Sequence, residues 1–204
     1  MLHRCQQHHP QCRADRGFDF PQKAHVVDCK NRQIVPMIDG HDYLALSYVW
    51  GSESAGSRLK QPSNDEDFHL PPLLPQMVED AIEVTIFLGY RYLWIDSVCI
   101  NQSHTTEKAF QIQQMGNIYS HAVATICALG AHANVSLPGV SQDRRTSPFF
   151  QSQGSTYISL PEPDFLRRSL LQTAEWSKRA WTFQEAMLSR RCIFFTEEQV
   201  SLVC

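Results

Sequence analysis

Tyr43-Leu44-Ala45-Leu46-Ser47-Tyr48-Val49-Trp50-Gly51 decides how the chain reads as a fold. The run is apolar and aromatic, too short for a typical helix, and closed by a glycine, which together mark a buried strand. Tyr92-Leu93-Trp94-Ile95-Asp96 has the same character and is expected to run on through Ser97-Val98-Cys99-Ile100; residues 122–129 form a third buried run. Helical spacing fills the gaps. Val78, Ala81, Ile82, Thr85 and Ile86 mark the inner face of a helix over residues 74–89, with Glu79 and Asp80 at its positive amino end and Gly89 to close it. Ile112, Met115, Tyr119 and Ala122 do the same for a helix over 106–121, capped by Thr105 or Thr106. Strand, helix, strand, helix, strand is the rhythm of a parallel sheet flanked by helices.

Outward from this centre, residues 25–37 alternate weakly around Lys30-Asn31 and predict a small hairpin. Residues 52–70 are polar, and so long a loop in a compact domain is expected to be functional or mobile. Residues 130–175 carry Pro and Ser throughout, with a short strand expected at 156–160. A last helix over 175–188 holds Trp176, Trp181 and Glu185, and strands are expected at 191–196 and 199–204. The chain stops within an apolar run, as a truncated gene product would.

The first 24 residues are polar and rich in histidine. Cys5, His8, His9 and Cys12 offer the usual zinc donors, but their spacing matches no finger pattern and no second ligand pair follows nearby. The segment is therefore read as a flexible leader, with no metal site assigned, ahead of a domain over 25–204.

Composition narrows the function classes. A chain of 204 residues that is 43% hydrophobic can bury a sizeable core, so disorder is excluded. Its net charge of −3, from 18 basic and 21 acidic residues with no basic stripe, argues against nucleic acid as a partner. There is no secretory signal and no membrane-length apolar segment. Seven scattered cysteines, an odd number, two of them (Cys99 and Cys127) inside apolar runs, fit a reduced, cytoplasmic setting.

In an open parallel sheet, ligands bind beyond the carboxyl ends of the strands. Three polar clusters are expected there or nearby. Ser47, Tyr48, Trp50 and Gly51 end the first strand, where the glycine allows close backbone approach. Asp96, Asn101 and Gln102 emerge from the second. Trp181 and Glu185, four apart on the last helix, share one face, and an acid beside a tryptophan loses solvation and gains proton affinity. Each also has a plain structural reading. Trp50 and Trp94 fit as core filling, Asp96 as the cap of the next turn, Asn101 and Gln102 as loop amides, and Glu185 as a surface acid. Gly-x-x-x-x-Gly-Lys, Gly-x-Gly-x-x-Gly, Gly-x-Ser-x-Gly and His-Glu-x-x-His are all missing. The apolar setting of Cys99 speaks against a thiol nucleophile.

These same residues carry a resemblance. Tyr43 to Gly51, then Leu88-Gly89-Tyr90-Arg91-Tyr92-Leu93-Trp94-Ile95-Asp96-Ser97-Val98-Cys99-Ile100-Asn101-Gln102 through Met115-Gly116-Asn117-Ile118-Tyr119-Ser120-His121-Ala122, then Arg179-Ala180-Trp181-Thr182-Phe183-Gln184-Glu185 and Leu188-Ser189-Arg190-Arg191 resemble, in order, the blocks of the fungal heterokaryon-incompatibility (HET) domain family. They frame residues 43–196. Ala180 stands where the family usually has a glycine. The family is implicated in recognising non-self after hyphal fusion and in triggering cell death. It also looks like a distant relative of TIR domains. Ser47 to Gly51 resembles the TIR first strand, Trp94-Ile95-Asp96 the second, and Trp181 to Glu185 the TIR helix with a tryptophan shortly before a glutamate.

The resemblance implies a flavodoxin-like, TIR-like sheet with a HET-specific insertion over 130–175. It implies Glu185 as the catalytic carboxylate of an NAD⁺-cleaving site, active on self-association. NAD⁺ would be a substrate, with no tightly bound cofactor. Loss of nicotinamide passes through an oxocarbenium-like state that a carboxylate can stabilise. Trp50 or Trp181 would stack on a ring, while Asp96, Asn101 and Gln102 would hold the remaining nucleotide. Shared fold does not fix shared chemistry. A non-enzymatic death-signalling adaptor, coupled to an upstream partner by domain contacts, and a nucleotide-sensing module stay open beside the enzyme.

Overall fold

The computed structural model describes residues 1–13, 17–50, 68–71, 73–102, 104–129, 135–141, 174–196 and 200–204. Among these, one mixed sheet of eight strands organises the domain. The strands are β1 (His25–Asp28), β2 (Gln33–Pro36), β3 (Tyr43–Ser47), β4 (Phe68–His69), β5 (Tyr92–Trp94), β6 (Ala124–Ala128), β7 (Cys192–Phe195) and β8 (Val200–Val203). They lie in the order β4-β2-β1-β5-β3-β6-β7-β8.

The centre, β5-β3-β6-β7, is parallel. Both flanks are antiparallel, β1, β2 and β4 on one side and β8 on the other. The parallel sheet expected from the sequence is thus present at the centre of a larger mixed one. The reason is connection length: only residues 29–32 separate β1 from β2 and residues 196–199 separate β7 from β8, and a parallel pair needs a crossover of a dozen residues or more. Parallel strands covered on both faces must be apolar throughout. Every residue of β3 and β6 is accordingly buried.

Helix α2 (Gln76–Phe87) connects β3 to β5, while α3 (Asp96–Cys99), α4 (Thr105–Gln113) and α5 (Met115–His121) lead on to β6. The first crossover moves one way from β3 and the second moves back past it. Right-handed crossovers running in opposite directions put their helices on opposite faces of the sheet. Helix α6 (Ala180–Leu188) then joins the α5 side, where the two helices pack together. The reversal of strand order at β3 opens a crevice at its carboxyl end.

Local chemistry accounts for the element boundaries. Val78, Ala81, Ile82 and Thr85 are buried as their spacing predicts, whereas Ile86 is half exposed. Gly89 ends α2 at φ +83°, with its N–H donating to Ile86 O and the Tyr90 N–H to Thr85 O. Only glycine adopts that conformation without strain. The helix expected over 106–121 is broken at Gln114. There the Gln111 and Gln114 side chains turn to donate to the carbonyls of Lys23 and Gln22, at 2.7 and 2.8 Å. The strand expected through Ile100 stops at Trp94 and gives way to α3. The helix expected from 175 begins as a 3₁₀ turn (Glu175–Lys178) and becomes α-helical only at Ala180.

The hairpin expected around Lys30-Asn31 is present, and Asp28 organises its turn. The carboxylate accepts the Lys30 and Asn31 N–H groups and the Arg91 guanidinium, the last at 2.7 Å. The amino-terminal segment, expected to lack regular structure, forms α1 (Leu2–His8) and a 3₁₀ turn (Pro10–Arg13), with Leu2 and Cys5 buried. Gly51, the strand expected at 156–160, and nearly all of the 52–70 stretch and the 130–175 insertion lie outside the described residues. Among the described residues no helix is long and apolar enough to cross a membrane.

Candidate functional site

Register sets the site. Ala45 on β3 lies opposite Trp94 on β5, so two residues further along, Ser47 and Asp96 reach the carboxyl edge at the same level. Helix α6 crosses this edge and turns Thr182 and Glu185 inward. Its ends are tied down. The Thr182 hydroxyl bonds to the carbonyls of Trp176 and Arg179, while Ser189 Oγ donates to Glu185 O and meets Thr125 Oγ1 of β6 at 2.6 Å.

The result is a cavity of about 250 Å³ walled by Tyr48, Trp50, Asp96, Gln102, Arg179, Trp181 and Glu185, with Ile100, Lys108, Ile112, Met115 and Thr182 completing it. Glu185 is 7% exposed. Its Oε2 accepts a hydrogen bond from Ser47 Oγ, which itself accepts the Trp176 indole N–H at 2.8 Å. Burial pushes the Glu185 carboxyl up to about 8. The hydrogen bond from Ser47 pulls it down, the Asp96 charge adds to the rise, and Tyr119 and Arg179 oppose it. At neutral pH Glu185 in the free protein is mostly protonated.

Asp96 faces the same space with different partners. Oδ2 accepts the Trp50 indole N–H at 2.9 Å and Oδ1 the N–H of Ser97 at 2.6 Å. Burial raises this carboxyl to about 6, held back by Ser97, Trp50 and Arg179. Asp96 is thus the first residue of α3 and not its cap, and it both lines the cavity and accepts the backbone N–H that follows it. Two carboxyls around one cavity, with proton affinities set apart by their surroundings, can divide acid and base roles.

The other candidate residues fall in several places. Tyr48 lines the cavity and donates to Ser97 Oγ at 2.6 Å. Gln102 also lines it, its amide spanning the carbonyls of Asp96 and Ile100. Ser47 stands behind Glu185. Trp181 borders the cavity but is 55% exposed, so it forms a rim and is not the group that desolvates Glu185. The Asn101 amide lies 3.5 Å from Glu107 Oε2, away from the cavity wall. Trp94 is fully buried against Tyr119, edge to face at 5.3 Å.

Sequence reasoning passed over Trp176, Tyr119, Lys108 and Arg179. Trp176 and Tyr119 look like core residues because they are core residues, and only their polar tips reach the site. Arg179 carried a usable signal, standing just before the helix that holds Glu185.

A mixed α/β domain with a carboxyl-edge cavity walled by two acids and two tryptophans is the class of molecule that fold and site define. The sequence pattern of the family described as Heterokaryon incompatibility protein (HET) matches residues 43–185, from the start of β3 to the buried acid, and the chain belongs to that family. Heterokaryon incompatibility protein 6, OR allele, of Neurospora crassa is 27% identical to it, over 78% of this chain and 29% of the relative. The chain thus spans less than a third of that relative's length. No solved structure matches it.

Proposed function

We propose that this domain signals cell death in fungal non-self recognition, and that on self-association it cleaves NAD⁺ between nicotinamide and ribose with Glu185 as the essential carboxylate. The observation that supports the chemistry is convergence. Glu185, brought by α6, meets the ends of β3 and β5 around one cavity, and among the described residues it makes no ion pair. The parallel strand order at the centre is compatible with the flavodoxin-like, TIR-like arrangement behind this reading.

In the proposed reaction the C–N bond breaks toward the pyridinium nitrogen, which takes the electron pair and leaves as neutral nicotinamide. Water adds to the sugar carbon and releases a proton. A buried carboxylate stabilises the cationic sugar. The substrate's own positive charge favours the ionised form of Glu185, so binding helps to expel the proton that the free site retains. Trp50 and Trp181 offer ring faces, and Lys108 and Arg179 offer charge to phosphate. The cavity suits a nucleoside-sized group, being slightly below the range of about 300–1,000 Å³ usual for ligand pockets.

The test is nicotinamide release by deliberately oligomerised protein and by its Glu185→Gln variant. The proposal expects turnover that needs assembly and is lost in the variant, with kcat/KM rising about tenfold per pH unit up to about 8. Turnover that survives the substitution removes Glu185 from the mechanism. A specific observation favours the adaptor as a second reading: Phe183 and Met187, four apart on α6, are each 63% exposed, an apolar pair on one face of the helix suited to domain contacts. Toxicity that persists in Glu185→Gln and is lost in Phe183→Asp would select it.

A further inference from the structure

The two ends of the described chain meet at the β8 edge of the sheet. Helix α1 places Cys5 and His9 one turn apart, with the His9 N–H closing on Cys5 O at 3.0 Å. The 3₁₀ turn then brings Cys12 back, its N–H donating to His9 O at 3.1 Å. Cys204 follows directly after β8 and supplies the partner that the amino-terminal spacing lacks. Donor atoms of Cys5, His9, Cys12 and Cys204 all lie within 4.8 Å of one another, and His9 Nδ1 stands 3.1 Å from Cys204 Sγ. In a tetrahedral site with Zn–S near 2.3 Å, ligand atoms sit roughly 3.8 Å apart, so the four need only small adjustments.

We propose that Cys5, His9, Cys12 and Cys204 form a tetrahedral zinc-type site that clasps the amino-terminal helix to the last strand of the sheet. Three thiolates and one imidazole are a soft donor set that selects Zn²⁺ over hard cations. Around a divalent ion they leave one net negative charge. Arg191, which is buried, supplies its complement. Its Nε donates to Cys5 Sγ at 3.1 Å and its terminal nitrogens to the carbonyls of Cys12 and Val123. A cation hydrogen-bonded to a ligand sulfur and to the backbone of a second ligand is the outer support such sites use. All four ligands are placed by backbone that is already folded. His8, the neighbouring candidate from sequence, is not one of them.

The test is titration of the reduced, metal-stripped full chain with Co²⁺ and then Zn²⁺. The proposal expects one equivalent to bind. It also expects the intense visible bands and near-ultraviolet sulfur charge transfer of a tetrahedral thiolate site, abolished by stoichiometric Zn²⁺. Thermal stability should rise with the metal. His9 is exposed, so His9→Ala keeps the fold, and it should weaken binding by at least about tenfold, given that even outer-shell changes cost 10–100-fold. Cys204→Ser should do the same, and His8→Ala should leave binding unchanged. Weak octahedral bands, binding untouched by His9→Ala, or no stoichiometric binding by folded, reduced protein would each overturn the assignment.

Discussion

Replacing Glu185 by Gln is expected to change how stability depends on pH, independently of any catalysis. The carboxyl has an ordinary value of 4.5 and is raised to about 8 by burial. Between those values the folded state holds a proton that the unfolded chain has released. Stability therefore falls as pH rises, by about 1.4 kcal/mol per pH unit where the difference is one full proton. Asp96, raised to about 6, acts in the same direction but has lost most of its proton by the upper part of that range. From pH 6 to 7.5 Glu185 alone should cost the wild type roughly 2 kcal/mol. Gln has the shape of the neutral acid, accepts the Ser47 hydroxyl and does not titrate. The variant should thus gain on the wild type by roughly 2 kcal/mol across the window, about 4–8 °C in Tm for a chain of this size. Comparing the two proteins by denaturant unfolding at each pH removes titrations they share. A variant-minus-wild-type difference in stability that stays constant from pH 6 to 7.5, or that falls as pH rises, would refute the burial argument.

Other outcomes follow from single contacts. Trp50→Phe removes the indole N–H that favours ionised Asp96, so the Asp96 carboxyl should titrate above about 6, which an NMR pH titration of its side chain can read. At Asp28, burial raises the carboxyl but hydrogen bonds from Arg91, Asn31 and Lys30 outweigh it and hold it below its ordinary value. Its stabilisation is therefore present above the unfolded value of about 3.9 and lost as pH falls through the folded one. Asp28→Ala should cost about 1–3 kcal/mol at pH 7 and flatten the acid limb of the stability curve. Gly89→Ala should cost about 1 kcal/mol by calorimetry, because φ is +83° there and the space around it is open, leaving conformational strain as the sole penalty.

The centre of the fold was legible because burial on both faces leaves a continuous apolar run, and β3 and β6 are such runs. The hairpin was legible from Lys30-Asn31 between weakly alternating flanks, and the last two strands from their apolar runs. What escaped was local competition. Asp96 and Ser97 turned the chain into a helix where periodicity alone extended a strand, and two glutamines serving a neighbouring segment split a helix that reads as continuous. At the candidate site, Trp50 and Asp96 stood out at the ends of apolar runs and Glu185 by its spacing from Trp181, and all three line the cavity. Trp176 and Tyr119 could not be found in this way, since a hydroxyl or indole tip that reaches a site from within the core leaves no mark in composition or spacing. Asn101 shows the converse, an amide in the right loop that turns toward Glu107 of the helix that follows.

The hydrogen bond between Ser47 and Glu185 joins residues 138 positions apart. Such a closure is slow and is rewarded only once the intervening elements are in place. During synthesis β3 waits for β5, then for β6, while the acid arrives with α6, near the end of the described chain. The cavity closes only once α6 has docked, so a nascent chain that has made β3, β5 and β6 but not yet α6 lacks the acid, and the site is completed at a late step of folding.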